Sequence, residues 1–253
     1  VIELKINSLV TRISHQHDVI FRVINIIDNK ALLQGEIYRL VADAPLNDLK
    51  EYENKNKIVL SLPVINFDAK LLRGKILHLD GDEFYLKKAM EAYRHYHIDA
   101  DGYFIKESDM PKFINQLINK HRPDVLVITG HDSLLKGQNV SDINSYRNSK
   151  YFVETIKVAR SIINSKDELV IVAGACQSYY EALISEGANF ASSPNRKNIH
   201  LLDPVIVASS IASATISEEI DFNKILKSTY SKQIGGIETK GRAKTSAKAT
   251  RKS

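Results

Sequence analysis

Cysteine is nearly absent from this chain: Cys176 stands alone among 253 residues. That excludes an internal disulfide and a cysteine-rich zinc site, and it suits a reducing compartment. Glycine and proline are sparse, at 11 and 6, in a composition that is 43% hydrophobic and 26% charged, as in an ordinary globular protein. No apolar run reaches the 18 residues of a membrane span, and no signal-peptide pattern opens the chain, so neither a membrane partner nor ordinary export is expected. The first residue is Val1, which leaves room for processing or trimming upstream. Acidic residues are missing from the last stretch. Lys240, Arg242, Lys244, Lys248, Arg251 and Lys252 give residues 240–253 a charge of +6, against +5 for the whole chain. Subtraction leaves −1 for the remainder, so the fold carries no nucleic-acid signature. Residues 237–253 read as a basic, flexible tail. Asp and His residues lack ligand spacing, so no metal and no cofactor is expected.

The rest of the chain is organised around Leu169-Val-Ile-Val-Ala-Gly-Ala-Cys-Gln-Ser178. Its continuously apolar start predicts a strand buried on both faces, and Ala173-Gly174-Ala175 allow a tight turn. Tyr179 to Glu186 then predicts a helix stopped by Gly187. Cys176 therefore falls at the carboxyl end of a central strand, where open α/β sheets place their ligand crevices, and a following helix end would favour a thiolate. A lone cysteine is ordinarily an inert core residue; the strand-to-helix elbow argues for a nucleophile instead.

Residues 1–50 contain short strand-like runs, Ser8–Ile13, Val19–Ile27, Ala31–Leu33 and Tyr38–Ala42, joined by tight turns. They predict a small SH3-like β-barrel. His15 and His17 fall in a turn and read as solvated. From Pro45 the character changes to polar and charged, and we read residues 51–72 as a linker with one helix, open to proteolytic nicking. Residues 73–236 then alternate strands with helices: Lys75–Leu79, a helix from Glu83 to Tyr96, Ala100–Ile105, a helix from Pro111 to His121, Asp124–Thr129, a helix from Tyr151 to Ile163, the cysteine strand, and Asn189–Ser193. That order predicts a doubly wound, mainly parallel sheet with helices on both faces.

The third of these strands ends Val127-Ile-Thr-Gly-His131-Asp132-Ser133. His131 and Cys176 thus follow apolar strands at one edge of one sheet, and neighbouring strands about 5 Å apart would let imidazole and sulfur meet. A thiol is mostly neutral at pH 7 and needs such a partner.

A hydrophobic strand ending in His, followed by another ending Ala-Cys, resembles the caspase–legumain–clostripain group of cysteine peptidases. Further runs, Lys75–Asp82, Arg122–Asp132, Ala173–Ser178, Gly187–Pro194, Phe21–Ile24, Arg39–Asp43 and Gly235–Thr239, resemble the YabG family of sporulation-specific peptidases over nearly the whole chain. The resemblance implies a caspase-like fold. It also implies a cysteine peptidase in the mother cell of a spore-forming bacterium, processing spore coat and germination proteins after basic residues, Arg especially. The pair would fall on Cys176 and His131. The order Gly-His-Asp departs from the His-Gly of caspases, whose glycine supplies an oxyanion donor. Backbone N–H groups of Cys176 and of Asp132 or Ser133 are the candidates here, and Asp132 is also a candidate to orient the histidine.

A preference for Arg requires a carboxylate that accepts a planar fork. Asp80, Asp82 and Asp203 are candidates, with Gln177 as a further substrate contact; turn and N-cap chemistry is the plainer role for Asp82. Two rival readings remain. An amidotransferase-like hydrolase needs a histidine well downstream of the nucleophile, and His200 comes early for it. A non-catalytic spore-coat interaction protein would leave Cys176 buried and inert.

Overall fold

The computed structural model describes residues 4–53, 62–63, 74–214 and 222–232; most of the expected linker, the Gly235–Thr239 run and the basic tail lie outside them. The chain divides into two compact units, Val1–Leu62 and Pro63–Ser253.

In the first unit, alternation of buried and exposed residues produces five short antiparallel strands: β1 (Leu9–Arg12), β2 (Phe21–Ile27), β3 (Lys30–Gly35), β4 (Val41–Pro45) and β5 (Leu49–Glu51), in the order β4-β3-β2-β1-β5. Val10, Phe21, Val23, Ala31, Leu33, Ala44 and Leu49 point to a common core. The polar stretch after Pro45 is therefore not all linker. Leu46–Asp48 makes one 3₁₀ turn, Asp48 accepts from Ser14 N at 2.8 Å and Ser14 Oγ at 2.7 Å, and β5 then pairs with β1.

The second unit is built on five parallel strands: β6 (Ile76–Asp80), β7 (Ala100–Phe104), β8 (Val125–Thr129), β9 (Val170–Ala173) and β10 (Phe190–Ala191), in the order β10-β9-β8-β6-β7. Every residue of β6, β8 and β9 is buried, which is why β8 up to Ile128 and all of β9 read as unbroken apolar runs, while β6 carries the buried His78 and Asp80. The helices are α1 (Glu83–His95), α2 (Met110–His121), α3 (Ser149–Ile162), α4 (Tyr180–Glu186), α5 (Asp203–Ser213) and α6 (Phe222–Ser228). Helices α2, α3 and α4 pack Ile114, Phe152, Ile156 and Leu183 against Leu77, Leu79, Leu126, Ile128 and Ile171. Helices α1 and α5 contact each other and the sheet, α1 on β6 and β7 and α5 on β8 and β9. None of their residues belongs to the α2–α4 core, so they occupy the opposite face. Helix α5 was not anticipated: nine of its eleven residues are buried, so it lacks the polar stripe that marks a surface helix. No helix among the described residues is long and apolar enough to cross a membrane.

Candidate functional site

The register of the parallel sheet aligns three side chains at one edge. Asp80 pairs with Thr129, and Ile128 pairs with Ala173. Asp82 and His131 each lie two residues beyond the first pair, and His131 and Cys176 each three beyond the second. The three residues therefore leave the carboxyl ends of adjacent strands β6, β8 and β9 at one level.

Asp82 is held twice. Its Oδ1 caps α1, accepting from Phe84 N at 2.9 Å and Tyr85 N at 3.3 Å, as a helix start requires. Its Oδ2 takes His131 Nε2 at 2.7 Å. The imidazole is braced by the edge of the fully buried Tyr85, 5.7 Å between centroids. Its main chain is fixed as well, with N donating to Glu107 Oε1 at 2.7 Å and O accepting from Asn148 Nδ2 at 2.7 Å. Among the described residues, His131 Nδ1 has no hydrogen-bond partner.

Cys176 is buried, 4% exposed, and Ile199 N donates to its Sγ at 3.3 Å, a contact that complements negative charge on sulfur. The chain reaches it through Gly174 at φ 106°, where a Cβ would press on Leu183 and Ser192, and leaves through Gln177 at φ 60°. Glycine is required at position 174 on both counts. Helix α4 begins four residues past Cys176 and spans seven. The thiol thus lies outside the first turn, where a helix end acts, and the expected helix-end effect does not reach it.

Asp132 joins the two loops. Its buried carboxylate accepts from Ser133 N at 2.9 Å, Asn148 N at 2.8 Å and Ser149 Oγ at 2.5 Å. Ser149 Oγ accepts from Tyr179 N at 2.8 Å, and Ser178 Oγ from Ala175 N at 2.9 Å. Burial pushes the Asp132 carboxyl above its usual range, against the pull of these donors. Asp132 therefore holds the His131 loop to the Cys176 loop rather than touching the imidazole, and Ser133 N–H is already engaged by its side chain.

The other acids are placed differently. Asp80 is fully buried, accepting from Asp82 N at 3.0 Å and Thr129 Oγ1 at 3.0 Å, with His78 Nε2 3.6 Å away. Asp203 is fully buried at the start of α5, where Tyr230 N and Ser231 N donate to its two oxygens at 2.8 and 3.1 Å; burial pushes its carboxyl up as well. Gln177 is half-buried beside Cys176. His200 stacks on Tyr230 at 3.9 Å and accepts from Leu202 N at 3.2 Å; burial, with Lys88 nearby, lowers it to about 4. Sequence reasoning missed Glu107, Asn148, Ser149 and Ile199, which meet the site only through the fold. No group of three metal-ligating side chains occurs among the described residues.

The family model described as "YabG peptidase U57" matches residues 5–62 and 65–248. The chain is 40% identical over 278 aligned positions to the sporulation-specific protease YabG of Bacillus subtilis (strain 168), covering 94% of this chain and 96% of that protein. No solved structure is significantly similar. With a family match across both units and a relative aligned from end to end, this chain belongs to the YabG family of peptidases.

Proposed function

We propose that the chain is a sporulation-specific cysteine endopeptidase that cuts after basic residues, Arg foremost, with Cys176 as nucleophile and His131 as acid and base. The observation that carries this reading is the common level of Asp82, His131 and Cys176, with Asp82 bonded to His131 Nε2 at 2.7 Å. With Nε2 keeping its proton and donating it to Asp82, Nδ1 holds the lone pair, so Nδ1 is the atom that takes the thiol proton. The thiolate attacks the peptide carbonyl, and backbone N–H groups of Cys176 and Asp132 hold the oxyanion. Imidazolium Nδ1–H protonates the departing amine, leaving a thioester. His131 then takes a proton from water, hydroxide adds to the thioester carbonyl, and the acid product leaves as Cys176 is restored. Asp82 orients the ring and offsets its charge while it is protonated, as the carboxylate of a hydrolytic triad does.

The parallel strand order, with His131 after β8 and Cys176 after the neighbouring β9, supports a caspase-like fold for the second unit. The return of β5 to β1 after one 3₁₀ turn supports an SH3-like barrel for the first, with a role in docking substrate. Spore coat and germination proteins are the proposed substrates, and the mother cell or the coat surface the place of action. Self-cleavage in residues 51–72 belongs to the same reading.

The test compares native protein with Cys176→Ala and His131→Ala on peptides that place Arg, Lys, Asp or Leu before the scissile bond. Cleavage after Arg and Lys, lost in both variants, is the expected result. Cleavage that survives Cys176→Ala would overturn the nucleophile, and loss on His200→Ala with His131→Ala active would favour the amidotransferase-like alternative.

A further inference from the structure

Four carboxylates stand at the carboxyl ends of β6, β7 and β8, and three of them are fully engaged. Asp80 takes Asp82 N and Thr129 Oγ1, Asp82 takes the α1 cap and His131, and Asp132 takes three donors across two loops. Asp203, farther along the chain, takes Tyr230 N and Ser231 N. Glu107 is the exception. Its Oε1 accepts from His131 N at 2.7 Å, while Oε2 accepts no hydrogen bond among the described residues.

The placement of Glu107 is specific. It follows the edge strand β7, yet its side chain crosses the end of β6 to reach the end of β8. The crossing runs over Gly81 and Gly130, each the first residue past its strand, and a Cβ at either would collide with the carboxylate. Two glycines at matching positions therefore keep open a slot that a half-buried glutamate fills. One oxygen is pinned to the backbone of the proposed acid–base residue, and the other is left for an outside donor. A carboxylate fixed on one side and open on the other is suited to a cationic side chain.

We infer that Glu107 is the specificity-determining carboxylate, presenting Oε2 to the guanidinium or ammonium of the residue before the scissile bond. This rests on the reading of Cys176 and His131 as the reacting pair. It assigns to Glu107 the task first sought in Asp80, Asp82 or Asp203, whose oxygens are occupied by the protein.

The experiment uses the full chain and two peptides identical except for Arg or citrulline before the scissile bond, citrulline being a neutral near-isostere of Arg. Native protein is expected to favour Arg in kcat/KM by about 10–100-fold, the range of one charge-assisted contact. Glu107→Gln keeps an oxygen for His131 N and removes the charge, so the ratio of kcat/KM for Arg over citrulline should collapse towards unity. Gly81→Ala, which displaces the glutamate without changing its charge, should lower the preference as well. A preference unchanged in Glu107→Gln overturns the inference, and so does an equal loss on both peptides, which would mark a residue that only positions His131. If native protein shows no Cys176-dependent cleavage of either peptide, the parent reading fails and this one with it. Cys176-dependent cleavage without an Arg preference fails Glu107 alone.

Discussion

Asp82→Asn isolates the contribution of a carboxylate to His131. Asparagine caps helices as well as aspartate does, so Oδ1 can go on accepting from Phe84 N and Tyr85 N and α1 should keep its start. What changes is the second oxygen, which becomes an NH₂ group facing His131 Nε2 across 2.7 Å. Two donors then oppose each other, and the ring must either turn or move its proton to Nδ1, the atom required as base. A hydrogen bond to a charged group contributes about 1.5–3 kcal/mol. The pair is partly open to solvent, with side chains 28% and 13% exposed, which favours the lower half of that range. At about 1.4 kcal/mol per factor of ten, kcat should fall about 10–40-fold, with KM nearly unchanged. The assay is steady-state cleavage of an Arg peptide, with a thermal melt on the same sample. Asp82→Ala should lose activity similarly and also about 1 kcal/mol of stability with the cap. Activity within twofold of native would refute the role. A rise in KM confined to Arg peptides would move Asp82 into the specificity pocket instead.

Three further predictions concern stability. The Asp132 carboxyl is raised by burial, so the native state favours its protonated form. Its contribution is greatest below the ordinary carboxylate value and declines as pH rises through the native one; melting temperature against pH should show this decline in native protein and not in Asp132→Asn, and an opposite slope would contradict it. His200 is lowered to about 4 from 6.5, so its contribution is present above pH 6.5 and lost as pH falls towards 4. At about 1.4 kcal/mol per unit this amounts to about 3 kcal/mol, absent from His200→Gln in acid denaturation curves. Phe152, fully buried on α3 against the sheet, should cost about 3–5 kcal/mol when cut to alanine, read from the urea midpoint; a cost below 1 kcal/mol would mean that the α2–α4 core is misplaced.

Legibility in the sequence followed burial. Strands β8 and β9 were readable because both faces are covered and their residues are continuously apolar, and reading them correctly placed His131 and Cys176 at one edge. Helix α5 is also covered on nearly all sides, but its Asp-Pro-Val-Ile-Val-Ala-Ser-Ser-Ile-Ala-Ser sequence has no polar side to set a 3.6-residue period. Strand β5 was missed for the opposite reason: of its three residues only Leu49 is buried, and the exposed Lys50 and Glu51 give no strand signal. At the site, the Asp82 cap was legible because it is local. Its second bond spans 49 residues, and Glu107 reaches His131 across 24 with a strand between them. Such contacts are set by strand order, which no spacing encodes. The double role of Asp132 was hidden likewise, since its partners Asn148 and Ser149 belong to the start of α3.

The most direct test of Cys176 as nucleophile is covalent trapping. Native protein is treated with a peptidyl-arginine acyloxymethyl ketone and the adduct is located by peptide mass mapping, alongside His131→Ala. The account predicts one adduct on Cys176 in native protein, formed far more slowly in the variant. Protein that cleaves its substrates while Cys176 stays unlabelled, or equal labelling without His131, would contradict it.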